Sequence, residues 1–105
     1  MKDIMGLMKQ AKKMQENMEV AKLKVADLTA SGASGGGLVT VTLAGGGNMQ
    51  GLKIDPSLMI ADEVDMLEDL IVAAYQTAKV ELDSKSADVM KESMGDIQLP
   101  PGMGL

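Results

Sequence analysis

Two glycine triplets, at residues 35–37 and 45–47, enclose one short apolar segment and constrain the fold of this chain more than any other feature. The enclosed segment, residues 38–44 (LVTVTLA), alternates apolar residues with threonine, which is typical of a strand with one buried face. Because glycine readily adopts positive φ angles, both triplets suit hairpin turns. The sequence therefore predicts that this strand pairs with a neighbour on each side.

The same glycines could instead form a phosphate-binding loop, and the spacing of the residues that follow tests this interpretation. A dinucleotide-binding fingerprint needs a third glycine where this chain has Thr40 or Gln50. A P-loop needs Lys followed by Ser or Thr directly after its second glycine, and neither segment with the glycine spacing has them. Both triplets also lead into predicted strands, so no helix N-terminus would meet a phosphate. Turns are the favoured interpretation.

Two more segments, residues 26–33 and 49–54, complete a predicted three-stranded antiparallel meander. The first is the weaker strand candidate. The second places Leu52 and Ile54 on one face and Lys53 on the other.

The segment before the sheet, residues 4–28, predicts a long helix. Its apolar residues alternate steps of three and four through more than three heptads. They are Ile4, Leu7, Ala11, Met14, Met18, Ala21, Val25 and Leu28. A helix of about 35 Å on so small a chain should extend beyond its own core. We expect either the second helix or a partner chain to cover this apolar seam.

The segment after the sheet predicts a second long helix. Asp62 is a candidate N-cap, and we expect fraying or a break near residues 84–86, continuation to Met94 and a cap at Gly95. The apolar face consists of Leu67, Leu70, Ile71, Ala74, Ala78 and Leu82. Residues 96–105, with two adjacent prolines, should be extended or disordered. The predicted fold class is α+β, with order α-β-β-β-α and a three-stranded antiparallel sheet between two long helices, as one domain over residues 1–95.

Missing residue types exclude most catalytic chemistry. The chain has no His, Cys or Arg and a single aromatic residue, Tyr75. It therefore lacks the usual general base, thiolate metal ligands, bidentate phosphate clamps and base-stacking platforms. The apolar residues between the acids at 62–69 have helical spacing. This pattern favours a solvated acidic face of a helix over a metal site. We expect no enzymatic activity, cofactor, metal or small-molecule substrate.

No segment resembles a membrane span or a signal peptide, because the longest apolar run, residues 70–75, has only six residues. The expected location is the cytoplasm. A chain of 105 residues with eleven methionines and one aromatic residue is also expected to complete its burial in an oligomer.

Charge is unevenly distributed along the chain. Residues 1–24 carry six lysines and three acids, whereas residues 55–96 carry three lysines and eleven acids. At 100° per residue, Lys2, Lys9, Lys13 and Lys24 fall within about 60° of one another, opposite the apolar seam. Lys12 flanks this group and Lys22 lies beside the seam. Such a lysine face can bind DNA phosphates, without sequence preference because nothing beside it reads bases.

Five stretches resemble the YbaB/EbfC family of small bacterial nucleoid-associated proteins. They occur in family order and cover nearly the whole chain: MGLMKQAKKMQENM at 5–18, GGGLVTVTLAG at 35–45, LKIDPSL at 52–58, DMLEDLIVAAYQTA at 65–78 and LPPGM at 99–103. The resemblance implies an α-β-β-β-α homodimer with protruding helices. It also implies that the protein binds double-stranded DNA in the bacterial nucleoid, alters its conformation, and takes part in nucleoid organisation and gene regulation without catalysis.

The resemblance also assigns the DNA contacts. Within the matching MKQAKKMQ these are Lys9, Lys12 and Lys13, and less directly the group Lys2, Lys22 and Lys24. Family members usually carry Arg as well, and their second helix is often more basic, so we expect weaker DNA affinity here. The alternative from another class of function is a homodimeric protein-interaction adaptor, whose methionine-rich seam and acidic helix dock other proteins while the lysines only keep it soluble.

Overall fold

The computed structural model describes residues 2–93, with only the backbone of Lys2. Helix α1 (Lys2–Ala26) precedes strands β1 (Thr29–Ser34), β2 (Val39–Ala44) and β3 (Met49–Ile54), and helix α2 (Val64–Ser93) follows them. Short 3₁₀ turns at Pro56–Leu58 and Ala61–Glu63 connect β3 to α2. The predicted α-β-β-β-α order is confirmed.

The three strands form an antiparallel meander in the order β1-β2-β3. All three residues of the first triplet have positive φ, as do Gly46 and Gly47 of the second, so the glycines make turns as predicted. In the register, Gly32 pairs with Val41 and Val41 pairs with Leu52, so these residues share one face of the sheet. Lys53 pairs with Thr40 on the opposite face, as the alternation predicts.

Helix α2 packs on the face that carries Val39, Val41 and Leu43, and all three are fully buried. The buried residues of α2 are Ala74, Ala78 and Leu82, and Leu67, Leu70 and Ile71 pack around them. This is the apolar face that the sequence predicts. Two polar contacts fix the direction of the helix along β1. The Ser34 hydroxyl donates to the Leu70 carbonyl, and Lys85 Nζ donates to the Thr29 carbonyl at 2.8 Å.

Two glycines permit the close approach of helices to the sheet. A Cβ on Gly32 would collide with the α2 backbone at Ala74 and Ala78. A Cβ on Gly45 would collide with the carbonyl of Val25, near the end of α1. The local sequence marks both residues only as turn or strand glycines, so their packing role emerges from the structure.

Three details of the prediction are wrong. The first helix ends at Ala26, and strand β1 begins at Thr29 rather than at residue 26. Asp62 lies inside a 3₁₀ turn and does not cap α2. Helix α2 does not break near residues 84–86 but continues to Ser93. Lys85 explains this continuity, because it is anchored to the Thr29 carbonyl and lies 3.5 Å from the Glu81 carboxylate.

The predictions for Met94, for a cap at Gly95 and for the 96–105 tail fall outside the described residues. The assignment of residues 1–95 to one domain therefore stays a prediction.

Candidate nucleic-acid interface

Helix α1 leaves the body of the protein and exposes most of its length. Every residue from Asp3 to Glu16 is exposed, whereas Ala21 is fully buried. We call residues 3–16 the arm, which spans about 21 Å at the rise of an α-helix. Helix α2 thus covers only the C-terminal part of the predicted seam.

Three of the predicted DNA-binding lysines lie on the arm. Lys9, Lys12 and Lys13 are exposed there, one after another along less than two helical turns. Lys22 and Lys24 are also exposed, but they lie at the end of α1 that adjoins the sheet. The side chain of Lys2 is outside the described part of the chain. The structure therefore groups the lysines into a set on the arm and a set near the body.

The ammonium groups of the arm have no ion pairs within residues 2–93. Both ion pairs found there lie on α2: Lys79 Nζ is 2.6 Å from Asp83, and Lys85 Nζ is 3.5 Å from Glu81. The hydrogen bond and the charge of Asp83 raise the pKa of Lys79. No described carboxylate lies within ion-pair distance of the arm lysines, which leaves them free to contact phosphates.

The acidic start of α2 lies at the other end of the sheet from the arm. Helix α2 passes Ser34 at Leu70 and reaches Thr29 only at Lys85, whereas α1 joins the sheet at Thr29. The acids at 62–69 are therefore separated from the arm by the length of the sheet. Only this acidic start of α2 is kept away from a polyanion on the arm, because the acids of the second half of α2, from Glu81 to Glu92, lie toward the end of the sheet that α1 joins.

An apolar surface beside β3 is a feature that the sequence did not predict. Helix α2 packs over β1 and β2, so the same face of β3 stays partly uncovered, although Ile54 packs against the core. We call the exposed apolar side chains of β3 (Met49 and Leu52) and of the segment after it (Met59, Ile60 and Val64) the β3 surface, and each is between 42% and 69% exposed. A shallow pocket of about 250 Å³ lies at one side of it, lined by residues that include Leu58 and Leu67. The only indication of this surface in the sequence is that residues 58–60 are apolar. The turn-forming residues just before them make the segment look like an ordinary loop.

The described residues form no cluster of three or more His, Cys, Asp or Glu side chains placed to hold a metal ion. No helix within residues 2–93 is long and apolar enough to cross a membrane.

Comparisons with known proteins place this arrangement in context. A nucleoid-associated protein of Brucella ovis is 50% identical over 105 residues, which cover all of this chain and 98% of that protein. A nucleoid-associated protein of Brucella abortus (strain 2308) matches equally well. The crystal structure of an uncharacterized protein, HP0035 from Helicobacter pylori, has the same fold, with a TM-score of 0.67 at 22% identity over 88% of this chain and 94% of that one.

The sequence model of one family, described as the YbaB/EbfC DNA-binding family, matches residues 1–97. This match includes the arm, the sheet and the described part of α2. The chain therefore belongs to the YbaB/EbfC DNA-binding family.

Proposed function

We propose that this protein is a homodimeric component of the bacterial nucleoid that binds double-stranded DNA through the lysines of its arm and catalyses no reaction. The observation that carries the proposal is the set of exposed lysines, unpaired within the described residues, on a helix that projects from the body of a DNA-binding family member. Lys9, Lys12 and Lys13 are the primary contacts, and Lys22 and Lys24 extend them toward the sheet.

Binding of this kind gains its affinity from the release of counterions when ammonium groups neutralise phosphates. The chain has no Arg to read guanine edges and only one aromatic ring, Tyr75, which packs against the core. The contacts therefore position the protein on the duplex without selecting a base sequence. The eleven acids of residues 55–96 lower the affinity, although the length of the sheet separates those at 62–69 from the arm and so limits their repulsion.

The β3 surface supports the proposed homodimer. Its five apolar side chains are partly exposed and lie on or beside a strand that no described helix covers. An exposed apolar patch of this kind is typical of a protein interface. The seam of the arm offers a second apolar surface, since Ile4 and Leu7 are 59% and 62% exposed. A second copy that covered these surfaces would double the number of arms, and two linked arms bind one polyanion more tightly than either alone.

The location that we propose, the nucleoid within the cytoplasm, is supported by the names of the Brucella relatives. The absence of catalysis is supported by the family and by a sequence that contains no His or Cys.

A charge-reversal experiment tests the DNA-binding face. The variant K9E/K12E should lose affinity at least tenfold, an estimate of about 1.4 kcal/mol, for two unrelated duplexes alike in a gel-shift titration. The control K53E/K79E makes the same change of charge on β3 and α2, away from the arm, and should bind nearly as the wild type. Adding K13E should deepen the loss.

Wild-type affinity in the triple variant K9E/K12E/K13E would show that the arm is not the DNA-binding surface. The adaptor alternative makes the opposite prediction, because it expects no binding of duplex by the wild type and recovery of one protein partner after nuclease treatment.

A further inference from the structure

Two methionines of the arm lie outside the apolar seam: Met5 lies among the lysines, and Met8 lies between the lysines and the seam. Met5 is 69% exposed and Met8 is 67% exposed. Each precedes an arm lysine by four residues: Met5 precedes Lys9, and Met8 precedes Lys12. Residues four apart are neighbours on one helix face, so each methionine adjoins the lysine one turn farther along the arm. The seam residues lie on another side, centred on Leu7.

The surroundings of these methionines indicate what kind of partner they meet. A protein partner that covered Met5 and Met8 would also bury the neighbouring ammonium groups, and burial of unpaired charges is costly. A DNA duplex neutralises those groups, and a base step that is partly unstacked offers the apolar faces of its bases to the methionines. The charge of the arm therefore favours DNA over a second protein at this face.

We propose that Met5 and Met8 act as wedges that enter between base pairs from the minor groove and bend the duplex, while Lys9 and Lys12 hold the flanking phosphates. This inference rests on the proposed function and adds to it the groups that deform the DNA. Apolar side chains that partly unstack a base step kink the duplex and widen the minor groove, which allows a helix to approach. The unbranched thioether side chain of Met adapts to different steps, which suits a protein without sequence preference.

The test replaces both methionines with glutamine. The variant M5Q/M8Q keeps the side-chain length and a similar helix propensity, but it removes the apolar ends. The control L23Q alters a residue of α1 that is also 69% exposed and lies about 27 Å farther along the helix, on the same side as Met5. Two readouts are needed: affinity by gel shift, and ligase-driven ring closure of a duplex of about 120 base pairs, which is shorter than the persistence length.

We expect the wild type and L23Q to accelerate ring closure and M5Q/M8Q to lose most of this acceleration. The Kd of M5Q/M8Q should change by less than about threefold, because phosphate contacts supply most of the affinity. Ring closure at the wild-type rate with M5Q/M8Q would overturn the inference. So would a wild-type protein that binds DNA without accelerating ring closure, a result that leaves the proposed function intact.

A change of oligomeric state in M5Q/M8Q, measured by light scattering, would place the methionines in a protein interface and also overturn the inference. Failure of the wild type to bind duplex at low salt would instead overturn the proposed function, and this inference with it.

Discussion

Gly32 of β1 lies directly beneath Ala78 of α2, so close that a Cβ on Gly32 would come within 2.9 Å of the Ala78 Cα. The Ala74 carbonyl lies against the same point. Because both contacts are with backbone, no side-chain rotation can relieve them. The absence of a side chain at Gly32 and the small side chains of α2 thus set how closely the helix packs on the sheet, and with it the burial of Val41 beside it.

The first prediction is that Gly32→Ala destabilises the fold. The added methyl group must push α2 away from β1, which should lower the free energy of unfolding by about 1–3 kcal/mol. Urea denaturation followed by circular dichroism measures this difference. The control Gly6→Ala adds the same methyl group where nothing lies within 4 Å, so it should leave the fold at least as stable. Equal stability of G32A and the wild type would show that α2 does not pack as described.

The second prediction concerns salt. Replacing Lys9, Lys12 and Lys13 with glutamine should make the affinity for duplex DNA less dependent on salt. Removal of one lysine–phosphate interaction should reduce the slope of log K against log salt concentration by about 0.9. Fluorescence anisotropy at several salt concentrations measures the slope. A variant whose affinity falls while its slope stays unchanged would argue against direct binding of phosphates by these lysines.

The third prediction locates the dimer interface on the β3 surface. Met59→Lys should shift the protein toward monomers without unfolding it, because the side chain is 69% exposed and its replacement buries no charge in the core. Val80→Lys is the matched control, since Val80 is 70% exposed on α2 and outside the β3 surface. Sedimentation velocity measures both. A fully dimeric M59K protein would move the interface elsewhere, with the seam of the arm as the next candidate.

The fourth prediction uses Asp55, which accepts a hydrogen bond from the Ser57 backbone N–H at 2.9 Å and caps the turn before α2. The Ser57 side chain and then this backbone bond lower the pKa of Asp55 below its ordinary value of 3.8. A lowered pKa in the folded state means that the charged form stabilises the fold above the unfolded pKa. This stabilisation disappears as the pH falls through the lowered pKa.

Asp55→Asn keeps a side-chain acceptor for the turn but removes the charge. The difference in unfolding free energy between wild type and D55N should therefore be constant from neutral pH down to about pH 4 and decline below it. Thermal unfolding across this range measures the difference. A difference that does not vary with pH would mean that Asp55 is not held in its charged form by the turn.

Local patterns predicted most of the elements, because they depend on residues near one another in the chain. The alternation of residues 38–44 identifies β2 and its buried face, and the glycine triplets identify the two turns. The prediction of a break at residues 84–86 failed because a contact with a distant part of the chain holds the helix there. Serine is a moderate helix former, but Lys85 contacts Thr29, a residue 56 positions away in the chain that no local window includes.

The candidate site was likewise predictable only in those features that depend on residues near one another in the chain. The positions of Lys9, Lys12 and Lys13 on one side of a helix follow from helical geometry and the sequence alone. Whether those lysines pair with the many acids of the chain does not follow, because pairing depends on where α2 lies relative to α1. The structure places the acidic start of α2 at the opposite end of the sheet, and within the described residues no carboxylate elsewhere in the chain pairs with an arm lysine.

The sequence by itself determined the order of helices and strands, the turns, and the presence of a basic helix, since periodicity and turn chemistry are properties of short segments. Only the tertiary structure decided that α1 projects as an exposed arm and that β3 keeps an uncovered apolar face. Both outcomes depend on how much of the sheet helix α2 covers. Close contacts such as the one between Gly32 and Ala78 set this coverage.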